Sequence, residues 1–229
     1  DLTYLPFLYG KGIAQYTSDP VFTARLRSEV ALQQSGGRRR LLPSLRLLFS
    51  LAGSYPGPRV KNLLSPLPRR AVQEFIDTYS RPSLVWDNIE RLRSYTYLPI
   101  VLKGILSPSD AKEAARRGVD ALIVSNHGGR QIDGEVAAID ALPGVVDAVG
   151  KRLPVLFDSG IRGGADIFKA LALGARAVCI GRPYVYALAA AGERGVRELI
   201  ENLLAELELT MALAGCAKIA EIGRDHLSM

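Results

Sequence analysis

From residue 98 onward the chain repeats one pattern: a short apolar run, a polar loop, then a stretch with helical periodicity. Leu98-Pro99-Ile100-Val101-Leu102 reads as a strand. Ser107 to Gly118 reads as a helix, with Ser107 suited to the N-cap, Pro108 to the first helical position and Gly118 to the end. Ala121–Val124 is the next strand, and Glu135–Gly150 contains a helix interrupted near Pro143-Gly144. Leu153-Pro154-Val155-Leu156-Phe157 is a third strand, followed by a helix over Gly164–Gly174. Ala175–Ile180 is a fourth strand, and helices from Pro183 to Ala191 and from Gly192 to about Ala214 follow it. Strands that are apolar on both faces and joined by helices imply a parallel sheet covered by helices. An open doubly wound sheet and a closed barrel both fit that pattern.

The polar residues favour the barrel. Each strand ends in reactive or charged groups: Lys103, Ser125-Asn126-His127, Asp158-Ser159 and Gly181-Arg182. Four consecutive strands feeding one face is how a TIM barrel builds its active site. A full barrel needs eight strands and about 250 residues. The first 97 residues are irregular in pattern, with at most one short apolar run near Leu45–Ala52. The expectation is an α/β chain in two parts: an irregular segment over 1–97, and the second half of a (β/α)8 barrel over 98–229.

The loops carry recognisable chemistry. His127 can exchange a proton near neutral pH, Arg130 can fork onto a carboxylate, and Gly128-Gly129 let backbone approach a ligand. Lys103, at a strand end before Gly104, suits a cation beside a ligand or a Schiff-base former. Asp158 suits either hydrogen bonds to ligand hydroxyls or the holding of loop amides. Gly160-Ile161-Arg162-Gly163-Gly164 and Gly181-Arg182-Pro183 each pair a glycine turn with an arginine at the start of a helix. Together they predict a phosphate site, in which helix dipole, backbone N–H groups and guanidinium all favour an anion.

Bulk properties narrow the field. The formal charge of +6 comes from residues 25–70, which hold ten Lys/Arg against one acid, Glu29. The remainder is acidic, so nucleic acid is not an expected partner. No apolar run reaches the length of a membrane span. Two histidines exclude a His-rich metal site. Cys179 and Cys216 read as small buried hydrophobes in a reduced compartment, and His226 as a tail residue. The tail Asp225–Met229 is not a peroxisomal Ser-Lys-Leu signal, so cytoplasm is the default expectation.

Lys103-Gly104, Ser125-Asn126-His127-Gly128-Gly129-Arg130, Asp158-Ser159-Gly160-Ile161-Arg162 and Gly181-Arg182 resemble, in order and spacing, the FMN-dependent 2-hydroxy-acid oxidases and dehydrogenases. The resemblance runs through about residues 98–226. Tyr4–Leu8, Gly12–Tyr16 and Ser18-Asp19-Pro20 look most like the lactate 2-monooxygenase branch, in the segment after barrel strand four. Asp158-Ser159-Gly160, where many members have Asp-Gly-Gly, resembles the lactate-oxidising branches. The resemblance implies that the four strands are barrel strands 5–8 and that the cofactor is FMN. It implies His127 as catalytic base, Arg130 as carboxylate ligand, and Lys103 as the cation beside the flavin ring. Ser125 would contact the ring, and Asp158, Ser159, Gly160, Arg162, Gly181 and Arg182 the ribityl chain and phosphate. Substrate and acceptor would be a small lactate-like L-2-hydroxy acid and O2, giving a 2-keto acid or its decarboxylated product. A homo-oligomer would be expected if the full barrel is present.

Two features depart from that family. Its first four strands are absent, and with them a tyrosine, a second substrate arginine and the aspartate that orients the histidine, so a truncated, non-catalytic fragment is the competing expectation. The second is the basic segment over about 30–70, with Ser35-Gly36-Gly37-Arg38-Arg39-Arg40 and Pro43, Pro56, Pro58, Pro66 and Pro68. It reads equally as a loop insertion enlarging an active-site lid and as sequence foreign to the gene. An IMP-dehydrogenase-like barrel is disfavoured, because the catalytic cysteine loop expected after these strands is lacking.

Overall fold

The structure is a computed structural model that describes residues 9, 10, 12–32, 45–79 and 83–228. Its contacts divide the chain into two compact units, Asp1–Leu84 and Val85–Met229.

The first unit is helical where it is described: α1 (Ile13–Thr17), α2 (Pro20–Leu32), α3 (Leu45–Ser54), α4 (Arg59–Leu64) and α5 (Leu67–Tyr79). The irregular pattern expected over 1–97, and the loop expected over 30–70, therefore need correcting for these residues. Leu47 and Leu51 lie one helical turn apart, and Leu51 joins Ile13, Leu26, Ala71 and Val72 in a small core of the unit. Asp19 starts α2 by accepting from Val21 N and Phe22 N at 2.7 and 2.9 Å. Asn62, buried in α4, donates to the Ala52 and Tyr55 carbonyls and so satisfies the end of α3. Arg25 reaches the buried Glu74 carboxylate at 2.9 Å. The arginine-rich run Arg38-Arg39-Arg40, Pro43 and the Tyr4–Leu8 piece lie outside the described residues.

In the second unit, α6 (Asn88–Arg93) precedes a repeating strand–helix series. It runs β1 (Val101–Lys103), α7 (Pro108–Arg116), β2 (Ala121–Val124), α8 (Ala138–Val149), β3 (Val155–Phe157), α9 (Gly164–Ala172), β4 (Ala177–Val178) and α10 (Arg182–Leu213). The sheet is parallel, with spatial order β1-β2-β3-β4. Every crossover moves one strand over in the same direction, the order found along an arc of a barrel, and no switch point of the kind a doubly wound sheet has occurs among the described strands.

Each boundary has a local cause. Ser107 caps α7 by accepting from Ser109 N, with Pro108 following. β1 starts at Val101, later than expected, because Pro99 lacks a donor and Ile100 N is taken by Asp120 Oδ2 at 2.6 Å. Only Ala177 and Val178 pair as β4, although Arg176 N and Cys179 N still donate to Val155 O and Phe157 O. The interruption expected near Pro143-Gly144 does not occur, and α8 runs through Pro143. Proline's fixed φ suits a helix, and the forfeited bond is offset by burial of Leu142, Val145 and Val149 on one face. α10 breaks where expected, at Ala191 and Gly192.

Register places Leu122–Val155 and Val124–Phe157 side by side on the helix-covered face, all four nearly fully buried. Alternation puts Lys103, Ile123, Leu156 and Ala177 in one row of the other face, which is only partly covered; Val101, on that same face, is 43% exposed. No helix among the described residues is long and apolar enough to cross a membrane.

Candidate active site

The C-terminal ends of β1, β2 and β3 converge on one ring of hydrogen bonds. Lys103 Nζ, at the end of β1, lies 2.8 Å from Asp158 Oδ2 and 3.0 Å from Ser125 Oγ. Ser159 Oγ donates to Asp158 Oδ1 at 2.8 Å and lies 3.4 Å from Ser125 Oγ. Ser159 gives its proton to the carboxylate and Lys103 donates to Ser125, whose own proton is shared between Asp158 and Ser159. Ser125 is 1% exposed, so an unpaired hydroxyl there would be costly.

The ring sets its own charges. Burial opposes ionisation of Asp158, but the bonds from Lys103, Ser125 and Ser159 outweigh it and hold this carboxyl below the usual range. Cys179, after β4, has its thiol pushed up by burial and by the Asp158 charge, with Lys103 opposing.

The loop after β2 hangs from this ring. His127 N donates to Ser125 Oγ at 3.1 Å, and Gly128 N to Ser159 Oγ and Asn126 Oδ1, both at 3.1 Å. His127, Gly128 and Gly129 carry φ of 56°, 69° and 71°, three successive left-handed residues. Two of the three are glycine, which removes most of the cost. Asn126 holds the far side through Nδ2 to Val136 O at 3.3 Å. The imidazole packs over Gly104: a Cβ there would lie 2.9 Å from His127 Cε1. His127 and Lys103 are thus neighbours across β1 and β2.

The arginines are disposed differently from one another. Arg130 Nε donates to His127 O at 3.1 Å, leaving its two terminal nitrogens to form a fork. Arg182 Nη2 donates to Gly128 O at 3.1 Å, so it braces the histidine loop. Arg162 is exposed, and its backbone N donates to Asp166 Oδ2.

That last bond revises the phosphate expectation. The N-terminus of α9 is already filled by the chain's own carboxylates: Asp166 Oδ2 accepts from Arg162 N and Gly163 N, and Glu206 Oε2 accepts from Gly164 N at 2.7 Å. A Cβ on Gly164 would lie 2.1 Å from Leu207 N, so α10 crosses α9 backbone to backbone at this point. Glu206 was invisible in the sequence, 42 residues from the glycine it caps. The backbone at Gly129, Gly160 and Gly181 is open: a Cβ there would meet nothing within 4 Å, as at several other glycines of the unit. His226 packs structurally, with Nε2 3.3 Å from Cys216 Sγ and its ring edge-on to Phe168.

The residues that converge can hold an anion between several cations, move a proton at His127 and fork onto a carboxylate at Arg130. Comparison with known proteins agrees with that chemistry. The family described as FMN-dependent dehydrogenase matches residues 16–229. A peroxisomal (S)-2-hydroxyacid oxidase, GLO3, of Arabidopsis thaliana is 50% identical over 177 residues, 74% of this chain and 49% of that protein. An FMN-dependent alpha-hydroxy acid dehydrogenase, qulF, of Penicillium citrinum is 40% identical over 98% of this chain and 48% of its own length. Among solved structures, mandelate oxidase with (S)-4-hydroxymandelic acid superposes with a TM-score of 0.60 at 50% identity, over 62% of this chain and 40% of that one. The chain spans about half the length of the curated relatives it matches.

Proposed function

The chain belongs to the FMN-dependent dehydrogenase family, and we propose on that footing that it carries the proton-transfer and flavin-holding half of an oxidase for a small L-2-hydroxy acid. The four strands would be strands 5–8 of the barrel, with O2 as the final acceptor. FMN, when bound, takes up the two electrons and the hydrogen that leave the substrate carbon. The cradle fits such a group, because the glycines at 129, 160 and 181 leave room and Lys103, Arg130, Arg162 and Arg182 supply positive charge, while Asp158 is paired with Lys103 and Asp166 and Glu206 are bonded to backbone amides at the start of α9.

In this reading His127 removes the proton of the substrate hydroxyl. Its left-handed turn and its packing on Gly104 hold the ring in one orientation, so little freedom is lost when substrate binds. Arg130 forks onto the substrate carboxylate with its terminal nitrogens. Lys103 places a fixed positive charge beside the flavin ring, kept in place by Asp158 and Ser125. Gly160, Arg162, Gly181 and Arg182 take the phosphate, at the N-terminus of α10 and not at that of α9, whose amides are already used.

The observation that carries the proposal is the placement of His127 beside Lys103 through Gly104, on a loop tied to the Lys103–Asp158 pair. The partly bare apolar row of Ile123, Leu156 and Ala177 favours a second reading, a fragment that needs a further covering element before it can act. An absorption spectrum of the purified chain with FMN, followed by anaerobic L-lactate or (S)-mandelate, separates the two. A bound-flavin spectrum that bleaches supports the oxidase reading. Soluble protein that retains no flavin refutes it for this chain and supports the fragment. A product analysis for keto acid and hydrogen peroxide against its decarboxylated acid distinguishes oxidase from monooxygenase outcome. The cytoplasmic location expected from the sequence competes with the peroxisomal one in the plant relatives' names, and imaging of a tagged chain decides it.

A further inference from the structure

Ser159 sits at φ 83°, in the left-handed region where a side chain is strained and glycine is not. A glycine would relieve that strain, so the serine's hydroxyl is the thing to account for. Its oxygen donates its proton to Asp158 Oδ1, meets Ser125 Oγ, and accepts the Gly128 N–H from the loop after β2. Gly128 N–H is shared with Asn126 Oδ1, but that bond spans two residues and shapes the turn only from within. The bond to Ser159 ties the turn to a different strand end. On the other side of the same residue, Gly128 O accepts from Arg182. Both backbone polar groups of Gly128 are thus gripped by neighbouring strand-end loops, one residue from His127.

We propose that Ser159 is a positioning residue whose hydroxyl clamps the His127-Gly128 turn onto the Lys103–Asp158 ion pair. The inference rests on the reading of His127 as the base, but it concerns where the imidazole is held, and its test needs neither flavin nor turnover. The clamp makes the cation that would face the flavin and the base that would face the substrate parts of one rigid unit. Removing the hydroxyl leaves both groups present, keeps only the His127 N–Ser125 Oγ link between turn and pair, and loosens the turn at Gly128.

The test compares the chain with its Ser159→Gly and Ser159→Ala variants by amide hydrogen exchange and by the His127 ring resonances in NMR. Only one other histidine, His226, needs separating. The alanine keeps the strained backbone and the glycine relieves it, while both lack the hydroxyl. The expected result is exchange at least five-fold faster at Gly128 in both variants and a displaced His127 ring signal, with the Leu122 amide in the core of β2 unchanged. Unaltered Gly128 exchange overturns the proposal. So does acceleration at Gly128 and Leu122 in equal proportion, or acceleration in the alanine alone, because those results report general destabilisation or strain. Flavin retention, read separately, tests the oxidase reading, so the two can fail independently.

Discussion

Breaking the Lys103–Asp158 pair from its two ends should not cost the same. The side chains are 2.8 Å apart, with 42% of the lysine and 17% of the aspartate exposed. At an effective dielectric of 20 the gross attraction is about 6 kcal/mol, but desolvation of the carboxylate and solvent screening at the lysine remove most of it. The coupling that remains should be about 1–2 kcal/mol in a double-mutant cycle. Lys103→Met strands a largely buried carboxylate and should cost about 2–3 kcal/mol, whereas Asp158→Asn leaves a lysine able to reach solvent and should cost about 1 kcal/mol. Asp158 is held below its ordinary value, so the stabilisation is complete above the unfolded carboxyl value of about 3.9 and disappears as pH falls through the lower folded value. Urea unfolding of the parent, both single variants and the double variant, from pH 6 down to pH 3, measures all of this. A lysine variant no less stable than the asparagine one, or a coupling that stays constant down to pH 3, would sink the argument.

Other positions are equally testable. Gly164→Ala puts a Cβ 2.1 Å from Leu207 N and breaks the Glu206 cap, so the cost is about 3–5 kcal/mol and a melting temperature lower by roughly 6–20 °C; a shift under 2 °C contradicts the packing described. Gly104→Ala adds a side chain at φ 93° and 2.9 Å from His127 Cε1, costing about 1–3 kcal/mol in strain and displacing the imidazole, which the His127 ring resonances report. Cys179 should react with iodoacetamide more slowly than a free thiol at pH 8, and Asp158→Asn should speed it, because removing the carboxylate charge lowers the thiol's value.

The parts of the fold legible in the sequence are those governed by local rules. Ser107-Pro108, the apolar run Ala121–Val124 and the break before Gly192 each announce themselves within a few residues, and the structure has them in place. The site loops are legible for the same reason, since alternation along a parallel strand decides which residue ends up above the sheet. What stayed hidden depends on distant partners. Glu206 caps Gly164 only because two helices cross there, and nothing near residue 206 signals it. Arg182 reads as a phosphate ligand from its neighbours, but its bond to Gly128 O, 54 residues away, has no signal in the sequence. The helices over 45–79 were obscured by proline and arginine content, although Leu47 and Leu51 carry the periodicity.

The sheet's alternation also links the site to the question of what this chain can do alone. The register that buries Leu122, Val124, Val155 and Phe157 under the helices sends Lys103, Ile123, Leu156 and Ala177 to the opposite face, with Ser125 and Asp158 above them. The chemistry and the partly exposed apolar row therefore share one face. A parallel sheet is stable when both faces are covered, and cover on this side would also close the floor beneath a bound flavin. The loops depend on that cover much less, because the ring of Lys103, Ser125, Asp158 and Ser159 is closed on itself and holds the His127 turn from within. A chain that fails to retain flavin should still show a protected Gly128 amide and an ordered His127. Loss of both together would mean that the ring needs cover on this face as much as the flavin does.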